Sequence, residues 1–167
     1  MSASTGDILD SANTTFFGVD NWYLTANHTT NATITSWSRI TTANYGRVGT
    51  GMSVSSGHWT FPSTGIYLII GNFSLVATST SNDNCSILGE VTTDNFSTTD
   101  ADRQFCYHYD QSNWSAMVTY YGTFDCTDTS NDKIRLVASS LGSGNYVRGQ
   151  DSNLFRSSLS FIRLGDT

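Results

Sequence analysis

The side chains that could do chemistry are few and scattered along the chain. The histidines are His28, His58 and His108, and Glu90 is the only glutamate. The sequence has no Gly-x-Ser-x-Gly elbow, no His-Glu-x-x-His pair and no phosphate-binding glycine loop. Paired-carboxylate catalysis would have to use aspartates in polar loops, where aspartate is usually a turn former. The sequence therefore predicts no enzyme, no catalytic residue and no cofactor.

Two acidic segments raise the question of calcium, which prefers several oxygen ligands on a flexible loop. The candidate ligands are Asp94, Asp100 and Asp102 in one segment and Asp125, Asp128 and Asp132 in the other. Neither segment has the spacing of an EF-hand. We interpret both as solvated acidic loops and predict no metal site, although the sequence leaves calcium open.

Three cysteines give an odd number of thiols, namely Cys85, Cys106 and Cys126. Their spacing contains no Cys-x-x-Cys pair, so it does not fit a zinc site. Buried cysteines that pack as small hydrophobic residues are the favoured interpretation. One disulfide between adjacent strands stays an alternative, and the compartment cannot be deduced from these residues.

Composition favours β structure and excludes two classes of partner. Aromatic residues make up 13% of the 167 residues and charged residues also 13%, while Ser, Thr, Asn and Gly dominate the rest. Aromatic and β-branched residues favour strands, and Asn, Gly and Ser favour turns. The net charge is −6, with Lys133 as the only lysine, so neither nucleic acid nor an anionic membrane is an expected partner. No apolar run approaches the roughly 18 residues that span a bilayer.

About eight to ten short strands separated by turns are expected, which is typical of a sandwich or jelly roll. Residues 32–40 are predicted to form one strand with Ile34 and Ile40 on one face and Trp37 on the other. Residues 66–76 are predicted to form a strand that is buried on both faces, either in the core or beneath a subunit contact. The predicted organisation is an N-terminal arm over residues 1–14 and one jelly-roll domain over residues 15–167.

Three segments carry a resemblance to a known superfamily. Residues 57–69 read Gly-His-Trp-Thr-Phe-Pro-Ser-Thr-Gly-Ile-Tyr-Leu-Ile, residues 131–136 read Asn-Asp-Lys-Ile-Arg-Leu, and residues 157–164 read Ser-Ser-Leu-Ser-Phe-Ile-Arg-Leu. Their order and sequence pattern resemble the trimeric jelly rolls that include tumour necrosis factor (TNF) and the globular heads of complement recognition proteins. The resemblance implies an all-β, TNF-like jelly-roll sandwich that forms a homotrimer.

The trimer that the resemblance implies would have an axis lined with apolar and aromatic side chains. The residues expected at this subunit contact are Tyr107, Tyr109, Tyr120 and Tyr121. Aromatic residues are enriched at interfaces, which favours this assignment. The alternative is that these tyrosines fill the core of a single domain.

The chain has the features expected of a bacteriophage structural protein within this superfamily. Residues 1–10 lack the basic and apolar regions of a secretory signal, and no collagen-like stalk precedes the domain. We predict a trimeric capsid decoration (cement) or fibre-head protein of a tailed bacteriophage, assembled in the host cytoplasm and carried outside on the virion. In that role the arm, with Ile8 and Leu9 as its apolar anchors, would dock on the major capsid protein or another virion protein.

A receptor- or glycan-binding recognition head is the alternative function. Polar loops that also carry aromatic residues suit sugars, because a ring stacks on the apolar sugar face while amides bond the hydroxyl groups. The candidates for glycan contact are Trp114 and Tyr146.

Overall fold

The computed structural model describes residues 18–42, 44–78, 84–98, 102–109 and 115–167, and every regular element within these ranges is a β strand. In chain order the strands are β1 (Val19–Leu24), β2 (Trp37–Arg39), β3 (Ser53–Ser55), β4 (His58–Thr60), β5 (Gly65–Val76), β6 (Asn84–Thr92), β7 (Asp102–Tyr109), β8 (Ser115–Cys126), β9 (Lys133–Ser139), β10 (Tyr146–Val147) and β11 (Ser158–Gly165). The described part of the chain contains no helical segment with the length and apolarity that a bilayer crossing requires.

The strands form two antiparallel sheets. In sheet A, β5 pairs with β8 on one side and with β10 and β11 on the other, and β1 and β2 follow beyond β11. Sheet B has the order β3-β4-β9-β6-β7. The chain crosses between the sheets after β2, β4, β5, β7, β8 and β9. The other consecutive pairs, β1 and β2, β3 and β4, β6 and β7, and β10 and β11, stay within one sheet. The prediction of an all-β jelly-roll sandwich is confirmed.

Aromatic rings from both sheets meet in the core around Trp59 of β4. Its ring lies 4.7 Å from that of Trp22, 5.7 Å from that of Trp37 and 4.9 Å from that of Phe161, measured between centroids. Edge-to-face and tilted arrangements at such distances are favourable, and burying one large apolar side chain stabilises a fold by about 1.5–3 kcal/mol. This aromatic cluster fixes the spacing of the two sheets.

The prediction of one continuous strand over residues 32–40 is wrong. Residues 32–34 pair with β9 of sheet B, where the Ile34 amide donates to the Leu136 carbonyl at 2.8 Å, whereas β2 pairs with β1 of sheet A. The chain bends between these two pairings, and the Trp37 indole N–H donates to the Ile34 carbonyl at 2.9 Å. Because the bend interrupts the alternation of side chains between the two faces of a strand, Trp37 lies in the core together with Ile34 and Ile40.

The Pro-Gly corner forms the turn that the sequence pattern indicates. Gly65 has φ +137°, a left-handed conformation that only glycine adopts readily, and a Cβ at this position would overlap the Gly165 carbonyl oxygen. The Tyr67 hydroxyl donates to the Ser63 carbonyl at 2.9 Å, and its ring packs 4.7 Å from that of Phe61. The corner thereby directs the chain from sheet B into β5 of sheet A.

Of the two alternatives for β5, burial of both faces within the domain core is wrong, and burial of the outer face beneath a subunit contact stays a prediction. The inward side chains of β5 are buried, but the opposite face is partly open, with Leu68 and Ile70 half-buried and Ile66 38% exposed. This leaves an apolar sheet surface that no element of the described chain covers.

Cys85 and Cys126 are buried. Burial raises the pKa of the Cys126 thiol to about 11, and the neighbouring Asp132 carboxylate adds to the effect. Cys126 therefore packs as a protonated, buried thiol. Cys106 lies on β7, whose side chains are outside the described part of the structure.

Candidate assembly face

His58 takes part in a packed cluster on the solvent side of sheet B. The Phe96 ring lies 4.9 Å from the His58 ring, and the Arg135 guanidinium lies 4.2 Å above Phe96. Arg135 also donates from Nε to Glu90 Oε2 at 2.6 Å. Burial and the nearby Arg135 charge lower the pKa of His58. These contacts hold a loop against the sheet and align no nucleophile with the imidazole.

The other two histidines take part in backbone pairing between strands. His28 is bonded through its backbone to Val147, with the two amides donating to the opposite carbonyls at 2.9 Å. His108 lies on β7, where only the backbone is described. Within the described ranges, no group of three or more His, Cys, Asp or Glu residues is placed to hold a metal ion.

The acidic loops use their carboxylates for local hydrogen bonding. Asp94 accepts from the Thr92 hydroxyl, from the amides of Ser97 and Thr98 and from the Thr98 hydroxyl, and these bonds hold its pKa well below the usual range. Asp132 is buried and accepts from the amides of Thr127 and Asp128 at 2.7 and 2.8 Å. The carboxylates of Asp94 and Asp132 are thus turn-forming groups, whereas Asp125 lies on β8 and pairs with Ile66.

The outer face of sheet A, pointing away from sheet B, is the most distinctive surface of the molecule. Strand pairing aligns its side chains in three rows across β8, β5, β11 and β1. The rows are Thr119, Asn72, Ser158 and Tyr23; Tyr121, Ile70, Ser160 and Asn21; and Thr123, Leu68, Ile162 and Val19. None of these residues is charged, and the third row is rich in apolar side chains. The register beyond the third row adds Asp125, an exposed carboxylate on the same face of β8, opposite Ile66.

Polar groups on this face are partly paired with each other. Thr119 Oγ1 donates to Asn72 Oδ1 at 3.0 Å, and Ser160 Oγ donates to Asn21 Oδ1 at 2.7 Å. A polar group that already has a partner costs less free energy to bury than an unpaired one. The outer face of sheet A can therefore be covered by another surface at low cost.

Strand β8 forms an edge of sheet A. It is 12 residues long and, among the described strands, pairs only with β5. Met117 and Tyr121 point outward from it and are 62% and 66% exposed. Proteins normally shorten, charge or cover the edges of their sheets. A long edge that carries two exposed apolar side chains is a marker of an interaction surface.

The tyrosines predicted at the subunit contact lie on two strands that belong to different sheets. Tyr121 is exposed on the outer face of sheet A, whereas Tyr120 is 4% exposed and packs into the core over Gly89. Adjacent residues of a strand point to opposite faces, so only one of this pair can face a neighbouring subunit. Tyr107 and Tyr109 belong to β7 in sheet B, and their side chains are not described.

The other predicted contacts are mostly outside the described residues. Ile8 and Leu9 lie there, as does Trp114. Tyr146 is half-buried on β10, where it pairs with Val76, and Ser115 pairs with Val76 from the other side. The chain next to Trp114 and the strand that carries Tyr146 therefore lie at the same end of the sandwich.

The sequence reasoning missed Met117, Tyr23, Leu154 and Phe155 as candidate surface residues. Leu154 is 54% exposed and Phe155 is 40% exposed. Alternation along 116–121 separates two faces of β8 but does not say which one is inward. The pairing of β8 with β5 determines which face is inward, and this pairing joins residues about 50 positions apart in the sequence.

No family model matches this sequence, and no curated protein matches it. Solved structures do match its fold. The Eiger TNF structure from S. frugiperda aligns at 12% identity over 90% of this chain and 94% of that chain, with a TM-score of 0.65. Murine APRIL at pH 5.0 aligns at 14% identity over 89% and 99%, with a TM-score of 0.60. The globular domain of zebrafish complement 1qA protein aligns at 10% identity over 87% and 93%, with a TM-score of 0.53. Similarity at these identities shows the fold alone: the chain is a TNF-like jelly-roll sandwich.

Proposed function

We propose that the protein is a non-enzymatic binding head that assembles as a homotrimer through the outer face of sheet A. The observation that carries this proposal is the surface of apolar, hydroxyl and amide side chains, without a charge in three successive registers, that continues from the exposed edge strand β8 across β5 and β11. Removing such a surface from water contributes roughly 25 cal/mol per Å² of apolar area. TNF, APRIL and complement 1qA are the names of structures with this fold, and none of these names describes an enzyme.

The experiment is to measure the molar mass of the protein by size-exclusion chromatography with light scattering. The wild type is expected at three times the chain mass of 18.2 kDa. Tyr121→Asp places a charge in the outer face of sheet A and is expected to give monomers. Ser55→Asp, on an exposed position of β3 in sheet B, is the matched control and is expected to stay trimeric. A wild type that runs as a monomer at every concentration would contradict the proposal.

For the biological setting, we propose the role predicted from the sequence, decoration of a tailed bacteriophage capsid or of a fibre head. What supports it is sequence-based: the Ser/Thr/Asn-rich, lysine-poor composition and the polar arm of residues 1–14 with Ile8 and Leu9. In this role the arm contacts the major capsid protein or another virion protein. Deleting residues 1–14 is expected to abolish binding to particles while the trimer persists. Undiminished occupancy of particles by the truncated protein would argue against this role.

A second candidate function is glycan or receptor recognition. It is favoured by the strand pairing that places Tyr146 and the start of β8, directly after Trp114, on either side of Val76. A glycan array probed with the labelled wild type is expected to show saturable binding that Trp114→Ala removes. An array without any saturable signal would eliminate this candidate and leave the trimer proposal unaffected.

A further inference from the structure

The turn that follows β6 holds two neighbouring residues in a left-handed conformation, and neither of them is glycine. Asn95 has φ +59° and Phe96 has φ +56°. Asparagine tolerates this conformation, whereas a bulky side chain such as that of phenylalanine is strained in it. A strained backbone persists only where the surrounding structure holds it in place. We call residues 93–98 the Phe96 turn.

The Phe96 turn is held by hydrogen bonds and by the position of one aromatic ring. The Phe96 amide donates to Thr92 Oγ1 at 3.2 Å, and the Asn95 amide donates to the carbonyl of Asn131 at 2.9 Å. The Phe96 ring lies on the solvent side of sheet B, 4.9 Å from the His58 ring, and the Arg135 guanidinium lies 4.2 Å above it. These ring contacts offset part of the strain, so their loss favours release of the turn.

The guanidinium of Arg135 is fixed next to His58. Strand register places Arg135 directly between His58 on β4 and Glu90 on β6, and Arg135 Nε donates to Glu90 Oε2 at 2.6 Å. Arg103 stands opposite Glu90 on β7, where only the backbone is described. The Cβ atoms of directly opposite residues are about 5 Å apart. A proton on His58 therefore places an imidazolium beside a guanidinium, and like charges this close repel each other, most of all where they are partly buried.

The remaining charged groups around His58 are engaged elsewhere. Asp94 accepts hydrogen bonds from amide and hydroxyl groups of the turn itself, and Lys133 Nζ on β9 donates to a backbone carbonyl at 2.7 Å. Ser55, which stands opposite His58 on β3, is neutral. Burial and the Arg135 charge therefore act together on His58, and both lower its pKa.

We propose that the Phe96 turn is a pH-sensitive switch on the solvent face of sheet B. Protonation of His58 beside Arg135 releases the Phe96 ring from the sheet and exposes the ion pair of Arg135 and Glu90 to solvent, while both sheets stay folded. The closed turn favours the neutral imidazole and the released turn lets it ionise freely, so the released population grows as the pH falls below about 6.5. The switch lies on sheet B and does not rest on the proposed trimer.

The first test is hydrogen–deuterium exchange of the folded protein, read by mass spectrometry of peptides that contain residues 93–98, β4 or β9. Rates are corrected for the intrinsic effect of pH on amide exchange. From about pH 7.5 to about pH 5, protection of the Phe96 turn is expected to fall by about fivefold or more, while β4 and β9 keep theirs. In His58→Gln, protection of the turn is expected to be the same at both pH values, and Thr60→Ser should behave like the wild type. Constant protection of the wild-type turn, or an equal loss in β4 and β9, would overturn the proposal.

The second test leaves His58 unchanged and measures the coupling from the histidine side. NMR titration of the His58 ring protons gives the midpoint of protonation in the wild type, in Phe96→Ala and in Thr93→Ala. Because a proton that releases the ring must in turn be opposed by the ring, Phe96→Ala is expected to raise the midpoint toward the ordinary value of about 6.5. Thr93→Ala changes an exposed position of the same turn and should leave the midpoint unchanged. An unchanged midpoint in folded Phe96→Ala would show that the ring and the proton are not coupled, which contradicts the switch.

Discussion

At the scale of single residues, the most informative thiol is that of Cys126, which is fully buried at the end of β8. A pKa of about 11 leaves roughly 100-fold less thiolate near pH 8 than an ordinary cysteine has. We therefore expect slow alkylation of Cys126 by iodoacetamide in the native protein and fast alkylation in urea. Peptide mapping after timed quenching measures both rates. Equal rates in the two states would show that this end of the core opens readily.

The stability of the cluster formed by His58, Phe96 and Arg135 is expected to depend on pH. Because the folded state favours the neutral imidazole, its pKa lies below the ordinary value of 6.5. The unfolded chain then binds more protons as the pH falls, so the stabilisation is complete above about pH 6.5 and is lost progressively below it. Urea unfolding at about pH 7.5 and about pH 5 is expected to show a smaller loss for His58→Gln than for the wild type. Thr60→Ser, on the same strand, should keep the wild-type loss.

At the scale of elements, the Pro-Gly corner is the part of the fold that depends most on one residue type. Gly65→Ala must place a Cβ against the Gly165 carbonyl at a positive φ, so we expect a loss of about 1–3 kcal/mol in the free energy of unfolding. Gly165→Ala meets no atom within 4 Å and is expected to change this free energy by less than about 0.5 kcal/mol. Denaturant titration of both variants measures the difference. Equal losses would mean that the corner tolerates a side chain.

Local pattern predicts some elements well and others poorly. The corner at residues 61–67 and the strands that follow it were predictable, because turn residues and apolar periodicity are local signals. The bend between Ile34 and Trp37 was not, since it arises when one short segment pairs with β9 and the next with β1. Local pattern also could not predict that Tyr120 lies in the core and Tyr121 on the surface. Alternation defines two faces, and only the distant partner strand decides which face is inward.

At the scale of the whole molecule, the trimer proposal explains why the outer face of sheet A can carry so little charge. The three rows of its outer face contain no side chain that is charged near neutral pH, whereas each subunit has a net charge of −6. Apart from Asp125 at the end of β8, the charge lies on other surfaces, where it keeps separate molecules from aggregating. A solvent-exposed sheet with this composition would favour uncontrolled association.

This arrangement predicts how salt acts on assembly. Apolar contacts do not weaken when ionic strength rises, while repulsion between three acidic subunits is screened. Raising NaCl from about 50 mM to about 500 mM is therefore expected to leave the trimer dissociation constant unchanged or to lower it. Sedimentation equilibrium at the two salt concentrations measures the constant, with Tyr121→Asp as the dissociated reference. Dissociation that increases with salt would instead mean that ion pairs hold the subunits together, and such pairs would have to lie outside the outer face of sheet A.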